Sequence, residues 1–210
     1  MDTWKVARIV FIVLFSLLLI VPVIGLAEEE VAPDPALAKT HNLLGISYLN
    51  ESNFDDAMEQ FQLAKQYDPE EASYSRNLAS AYSRKGSGFF NEGLYEEALI
   101  QYQQAMEENP DEVIYQNNSA NSLYRLERYD EAMAAVNRAI AMDSAYSRAY
   151  EVRGGIYYRL TLYEAALEDY RKAYELDPAG ASYNNIAIAL QKLDRHEEAA
   201  EFLQGILSDE

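Results

Sequence analysis

Small and apolar residues recur along this 210-residue chain in five blocks, at spacings typical of helices. Each block is centred on an alanine, with a small residue twelve positions before it and apolar residues four and seven positions after it. Residues three, four and seven positions apart lie on one face of a helix. Each block therefore predicts helices that pack through one face. The central alanines are Ala57, Ala98, Ala132, Ala166 and Ala199, separated by 41, 34, 34 and 33 residues.

An aromatic residue and a proline mark the beginning and end of a second helix in most blocks. Three positions before the alanine stands an aromatic residue, which His196 replaces in the last block. Twelve positions after it stands Pro69, Pro110 or Pro178, with Ser144 in the third block. Proline has no backbone N–H and disfavours a helical conformation in the residue before it, so it ends the helix. Each block is predicted to be a helix hairpin.

These positions resemble the tetratricopeptide-repeat (TPR) family, whose 34-residue motif has small, aromatic, alanine and proline positions at the same offsets. The resemblance covers about residues 38–210. This chain departs from the motif at Ser144, at His196 and Ile206 in the last copy, and in lacking a tryptophan at the early aromatic position. The resemblance implies an all-α fold, a right-handed TPR superhelix (α-solenoid) of about five helix hairpins. Such arrays usually bind other molecules rather than catalyse reactions.

The 41-residue spacing predicts one lengthened helix. It equals one 34-residue unit plus seven residues, which is about 10 Å of extra helix. Seven residues rotate a helical face by only about 20°, so the packing face is kept. Two registers compete here, one beginning near Asn77 and the other near Lys85, and we expect one continuous helix from Glu71 to Glu92. The predicted units are TPR 1 at 38–71, TPR 2 at 72–112, TPR 3 at 113–146, TPR 4 at 147–179 and the terminal TPR 5 at 180–210.

Residues 1–27 have the pattern of an export signal. Lys5 and Arg8 precede an apolar stretch, and small residues stand three and one positions before Glu28. This arrangement is typical of a cleaved signal peptide. The alternative is an uncleaved signal-anchor helix over residues 9–26, which is long enough to span a membrane. In both cases the positive charges stay inside, so the repeats are expected on the non-cytoplasmic side. Residues 28–37 are predicted to be an acidic, proline-containing linker.

Composition narrows the functional classes. The net charge of −18 makes nucleic acid an unexpected partner. The absence of cysteine excludes disulfides and thiol catalysis. No catalytic motif occurs, and His41 and His196 both fall at structural repeat positions. We therefore expect no enzyme activity, no metal site and no cofactor.

The resemblance implies that the first helix of each hairpin lines a concave groove. Seven of the fifteen basic residues beyond the leader fall at the groove positions, joined by one acid, Glu151. This predicts a basic, asparagine-rich groove suited to the backbone amides and carboxylates of a protein or peptide, including an acidic one. The alternative is that these are only exposed polar positions on a helix. The predicted partner contacts are Lys39, Asn42, Arg76, Arg84, Asn117, Asn121, Tyr124, Arg125, Arg148, Tyr158, Arg159, Asn184 and Lys192.

Three further possibilities follow from the resemblance and from the chain ends. Some TPR domains hold a C-terminal carboxylate with a clamp of Lys, Asn and Arg. Asn118 and Arg148 match that clamp, but Ser83, Ser87 and Val152 occupy its other positions, so we do not expect a chaperone-tail clamp. The alternatives to a binding scaffold are a homo-oligomer formed through the C-terminal repeat, and a structural subunit anchored in a membrane through residues 9–26.

Overall fold

The computed structural model describes residues 32–180 and 182–208, and within these ranges every regular element is an α-helix. The helices are α1 (Pro35–Asn50), α2 (Phe54–Tyr67), α3 (Ala72–Glu92), α4 (Tyr95–Glu108), α5 (Val113–Arg125), α6 (Tyr129–Met142), α7 (Ser147–Arg159), α8 (Tyr163–Leu176), α9 (Ser182–Lys192) and α10 (His196–Ser208). They form five hairpins in the unit Asp34–Glu210, which confirms the predicted all-α solenoid. Within the described ranges no helix is long and apolar enough to span a lipid bilayer. The expected signal or anchor, at 1–27, lies outside the described residues.

The ends of the helices follow local capping chemistry. The carboxylate of Asp34 accepts hydrogen bonds from the backbone N–H groups of Ala36 and Leu37, and Pro35 occupies the first turn, where no N–H partner is needed. Helix α3, the first helix of the second hairpin, is followed by its C-cap, Gly93. This glycine adopts φ 82°, a left-handed conformation that glycine reaches without steric cost. The array therefore starts at Pro35, inside the stretch 28–37 that was predicted to be a linker, because the Asp34 cap and Pro35 begin the helix three residues before position 38. Gly93 turns α3 into α4.

Glycines allow the two helices of a hairpin to approach closely. A Cβ on Gly45 would lie 2.6 Å from the ring of Phe61, and a Cβ on Gly154 would lie 2.7 Å from the ring of Tyr170. Distances below 3 Å cannot be accommodated without movement, so each aromatic ring fills the space that the glycine leaves. This is the small-residue and apolar pairing expected twelve before and four after each alanine.

Helix α3 is continuous over 21 residues, so the predicted long helix is confirmed. Both of its sequence registers are used. Leu78 packs in one cluster with Phe61 and other residues of the first hairpin. Two turns later, Gly86 lies against Tyr102 of α4, as Gly45 lies against Phe61. The additional turns thus let one helix pack against α2 on one side and α4 on the other.

The first helices of the hairpins form the inner layer of the stack. Each helix packs on the next along the chain, and in addition α1 contacts α3 and α5 contacts α7 directly. Direct contact between first helices places them where successive hairpins converge. The core lies between the layers, and its most enclosed side chains include Val136 of α6 and Ile156 of α7.

Candidate partner-binding groove

Charge is separated between the two layers of helices. The first helices, α1, α3, α5, α7 and α9, carry nine basic and two acidic residues, a net charge of +7. The second helices, α2, α4, α6, α8 and α10, carry four basic and sixteen acidic residues, a net charge of −12. We call the face formed by the first helices the groove. This layer is basic although the chain as a whole is strongly acidic, so its local potential has the sign that attracts anionic groups.

Most of the predicted groove cations have no acidic partner within the described part of the chain. Of the seven basic residues placed there from the sequence, only Arg159 forms an ion pair with a described residue, Glu127, at 3.1 Å. Of the other eight basic residues in the repeats, seven form an ion pair with a described residue, and Arg138 does not. Six of the nine basic residues on the first helices therefore have no counter-charge among the described residues. The six basic side chains without an ion pair among the described residues are Lys39, Arg76, Arg84, Arg125, Arg148 and Lys192.

A polar pocket of about 290 Å³ opens between α3, α5 and α7. The hydroxyl of Ser87 donates to the carbonyl oxygen of Ser83 at 3.0 Å, and Tyr102 Oη lies 3.2 Å from Ser87 Oγ. Burial raises the pKa of Tyr102, so its hydroxyl stays protonated. Neutral hydroxyls and amides with one cation suit a carboxylate or amide side chain. The lining residues are Ser87, Phe90, Asn91, Tyr102, Ile114, Asn118, Asn121 and Arg148.

Arg125 is held by aromatic rings of the preceding hairpin. Its guanidinium lies 4.7 Å from the ring centre of Tyr95 and 5.6 Å from that of Phe90. These two rings meet edge to face at 5.2 Å. A cation over aromatic faces is stabilised electrostatically and loses little of its ability to donate from its edge. Arg125 is thus preorganised by its own chain rather than fully free for a partner.

The equivalent residues of the next hairpin also lie together, but through a hydrogen bond instead of ring stacking. Arg159 lies beside Tyr129 and Tyr124, and the Tyr129 hydroxyl is the main reason that the pKa of Arg159 is raised. Tyr124 is half-buried, and burial raises the pKa of its hydroxyl. A Cβ on Gly155 would lie 3.5 Å from the Tyr124 ring, so this ring rests against α7. Tyr158, also half-buried, meets the ring of Tyr163 edge to face at 5.3 Å.

The other predicted contact residues divide by exposure. Asn117 is only 4% exposed, and its side-chain oxygen has no hydrogen-bond partner among the described residues. This corrects the expectation of a groove contact there, since α5 packs against α4, α6 and α7 and covers that position. Asn42 accepts a hydrogen bond from Asn77 at 2.7 Å, and Asn121 is half-buried in the wall of the pocket. The exposed residues are Lys39, Arg76, Arg84, Arg148, Asn184 and Lys192.

Two features of this region were not predicted from the sequence: the buried ion pair between Arg153 and Asp169, and the position of Tyr102 in the pocket wall. A signal for the pair exists, because sixteen residues separate Arg153 from Asp169, the same spacing that brings Gly45 to Phe61. His41 is hydrogen-bonded to Gln60, with 2.8 Å between Nδ1 and Oε1, and its ring stacks on Tyr67. Both contacts are in keeping with a structural position. Within the described ranges no group of three potential metal-ligating residues occurs.

A second, larger depression of about 570 Å³ lies where α9 turns into α10. It is lined by exposed charged residues from Asp194 to Glu201. It holds four carboxylates and one arginine, Arg195, which is already ion-paired with Glu198. The larger depression is therefore net acidic and has no cation to spare for an acidic ligand, whereas the groove pocket has Arg148.

The fold is similar to that of several solved structures. MamA from Desulfovibrio magneticus RS-1 superposes with a TM-score of 0.62 at 19% identity, covering 81% of this chain and 93% of that one. A tetratricopeptide repeat protein from Parabacteroides merdae superposes with a TM-score of 0.62 at 18% identity, and the match covers 83% of this chain and 67% of that one. The first TPR domain of Spaghetti (RPAP3) was solved bound to the HSP90 peptide SRMEEVD. It superposes with a TM-score of 0.51 at 30% identity, and the match covers 55% of this chain and 93% of that one. A search of curated protein sequences found no significant match.

Family models match the chain over nearly all of the described helices. A tetratricopeptide-repeat model matches at residues 42–113, 83–147 and 117–181, and a second tetratricopeptide-repeat model matches at residues 180–208. The matched stretches are continuous from 42 to 208 and so cover well over half of the sequence. The chain belongs to the tetratricopeptide-repeat family.

Proposed function

We propose that this protein is an extracytoplasmic scaffold that binds an acidic segment of a partner protein, extended or helical, along its groove. TPR proteins generally mediate protein–protein interactions, and their fold is typically a non-catalytic scaffold. Beyond this general role, we propose that the partner is acidic, that the groove binds it, and that binding takes place on the non-cytoplasmic side of the membrane. No cofactor or metal is needed for this activity.

The observation that carries the proposal is the set of groove cations that make no ion pair with any residue the structure describes. A surface cation in a chain of net charge −18 has many acidic groups available to pair with. Arg84 and Arg148 nevertheless remain exposed without an ion pair among the described residues, while outer cations such as Arg171 and Lys172 are paired. Charge complementarity of this kind speeds encounter with an acidic partner and disfavours basic ones.

The middle of the groove supports carboxylate recognition. Asn118 and Arg148 line the pocket and also stand at two positions of the carboxylate clamp described above. The similar TPR domain of Spaghetti (RPAP3) is bound to a peptide, SRMEEVD, that contains three acidic residues. Because Ser83, Ser87 and Val152 replace the other clamp residues, we propose that acidic side chains, rather than a chain terminus, are what this groove binds.

The proposed location rests on the N-terminal sequence. Lys5 and Arg8 before an apolar stretch favour export or anchoring with the repeats outside the cytoplasm. The mass of the protein isolated from its native cells tests this. Loss of residues 1–27 would support a cleaved signal, and retention with membrane association would support an anchor. An intact protein found in the cytoplasm would contradict the location.

The binding proposal is tested by selecting displayed random peptides on the full chain. We expect enriched peptides to be rich in Asp and Glu. Reversal of two free groove cations, Arg84→Glu with Arg148→Glu, should weaken the enriched peptides at least tenfold. Arg138→Glu is the matched control, because Arg138 is exposed and has no ion pair among the described residues but lies on a second helix. Enrichment without acidic residues, or an equal loss with the control, would refute the proposal.

A further inference from the structure

The groove changes chemistry along its length. At its α1 end, Leu43 is 58% exposed and Ile46 is 37% exposed. Together with Lys39 they are spaced four and three residues apart and so share one face of α1. Large apolar side chains exposed side by side on a defined face mark an interaction surface more often than isolated ones do. We call Leu43 and Ile46 the apolar step.

The apolar step occupies the same row of the groove as the polar pocket. The first and third alanines are 75 residues apart, so Lys39, Leu43 and Ile46 correspond to Ile114, Asn118 and Asn121 of α5. All three of these α5 residues line the pocket. The row is therefore apolar with one cation at α1, and amide-rich in the middle of the groove.

Free positive charge borders the apolar step. Helix α1 contains no acidic residue, and α3, which contacts it, contains only Glu92 at its last position. Arg76 and Arg84 on α3 are exposed and make no ion pair with a described residue. An occupant of the step thus meets apolar contacts beside unneutralised cations. An apolar segment that also carries carboxylates satisfies both.

We propose that the partner segment is bipartite, with apolar side chains that pack on Leu43 and Ile46 and carboxylates that contact Arg84, Arg148 and the pocket. This rests on the proposed function, and it fixes the direction of the partner. Its apolar end lies at α1 and its acidic end extends towards α7. Another copy of this chain also presents acidic second helices, with a net charge of −12, so the sedimentation measurement below separates that occupant from a bipartite partner segment.

The test uses the same selection of displayed random peptides on the full chain, with the enriched pool measured on further variants. We expect enriched peptides to contain apolar residues at one end and Asp or Glu at the other. Leu43→Ser with Ile46→Ser should weaken them about tenfold, because the apolar area that they bury is lost. Leu162→Ser is the control, since Leu162 is also exposed but precedes α8 and lies off the groove face. Circular dichroism at 222 nm establishes that each variant keeps its helices.

A second variant checks the direction. Ile188 is exposed in the same row of α9, at the opposite end of the groove. Ile188→Ser should leave binding within twofold, whereas a loss with Ile188→Ser and none with the α1 variants would overturn the direction. Acidic peptides without apolar residues, equally bound by the α1 variants, would overturn the bipartite partner but keep the proposed function. Peptides without acidic residues would overturn both. Sedimentation showing dimers broken by the α1 substitutions would replace the partner with a second copy.

Discussion

The carboxylate of Asp169 on α8 accepts two hydrogen bonds from the guanidinium of Arg153 on α7, at 2.7 Å from Nε and 2.8 Å from Nη2. Asp169 is only 6% exposed. The third nitrogen, Nη1, donates to Asn137 on α6 at 3.0 Å, and the guanidinium lies over the ring of Tyr150. One arginine therefore links the third hairpin to the fourth.

Removal of the Asp169 carboxylate should destabilise the array. Asp169→Ala leaves Arg153 partly buried without its counter-charge, so we expect the free energy of unfolding to fall by about 2–4 kcal/mol. Arg153 keeps Asn137 and some contact with water, which places the loss in the lower part of that range. Urea unfolding measures it. Glu131→Ala is the control, because the Arg128–Glu131 pair is exposed and should leave the unfolding midpoint unchanged. Equal effects of the two substitutions would contradict the role of burial.

Two glycines in α3 should respond in opposite directions to alanine. A Cβ on Gly86 would lie 2.9 Å from the ring of Tyr102 and 3.1 Å from Cβ of Gln101, so Gly86→Ala should cost about 1–3 kcal/mol. A Cβ on Gly88 would meet nothing within 4 Å. Gly88→Ala should therefore stabilise the helix by about 1 kcal/mol, because alanine has the higher helix propensity. Thermal unfolding of both variants checks the pair, and a loss at Gly88 would mean that α3 is not an ordinary continuous helix there.

The fold could be predicted because its rules are local. The offsets from Ala57 to Gly45 and Phe61 recur at Ala166 with Gly154 and Tyr170, and each glycine accepts the ring within one hairpin. The long α3 followed from the same logic, since seven extra residues preserve the packing face. No knowledge of how hairpins stack on one another was needed for either inference.

The site could be predicted only in part, because its details depend on contacts between hairpins. The exposure of Arg84 and Arg148 follows from their position on the first helix. The stacking of Arg125 on rings of the preceding hairpin does not, because it depends on the angle between neighbouring hairpins. The burial of Asn117 has the same origin. That the exposed residues contact a partner stays a prediction.

The buried Tyr170 should make the protein sensitive to alkali. Burial is the main cause that raises the pKa of Tyr170 above its ordinary value of 10.0. The hydroxyl therefore ionises more readily in the unfolded chain than in the folded one. Its contribution to stability is complete below pH 10 and is lost as the pH rises through the folded-state pKa.

Tyr170→Phe removes this titration and keeps the ring against Gly154. Burial and neighbouring charges, not a hydrogen bond, raise the pKa of this hydroxyl, so its removal should change stability at pH 7 little. We expect the variant to unfold at a higher pH than the parent. Circular dichroism at 222 nm follows unfolding, and absorbance at 295 nm follows tyrosine ionisation. Identical alkaline unfolding of both proteins would show that Tyr170 does not control the transition.

Salt should weaken partner binding in proportion to the free cations of the groove. Electrostatic screening shortens from about 10 Å at 0.1 M salt to about 3 Å at 1 M. An acidic peptide selected on the protein should therefore lose about tenfold or more in affinity over that range. The Arg84→Glu and Arg148→Glu double variant, measured with a peptide that still binds it, should show a much flatter dependence, because the positive charges that are screened have been removed. Arg138→Glu should keep the dependence of the parent, since Arg138 lies on the outer layer. Binding that is insensitive to salt would assign the affinity to apolar contacts, with the unpaired cations serving solubility alone.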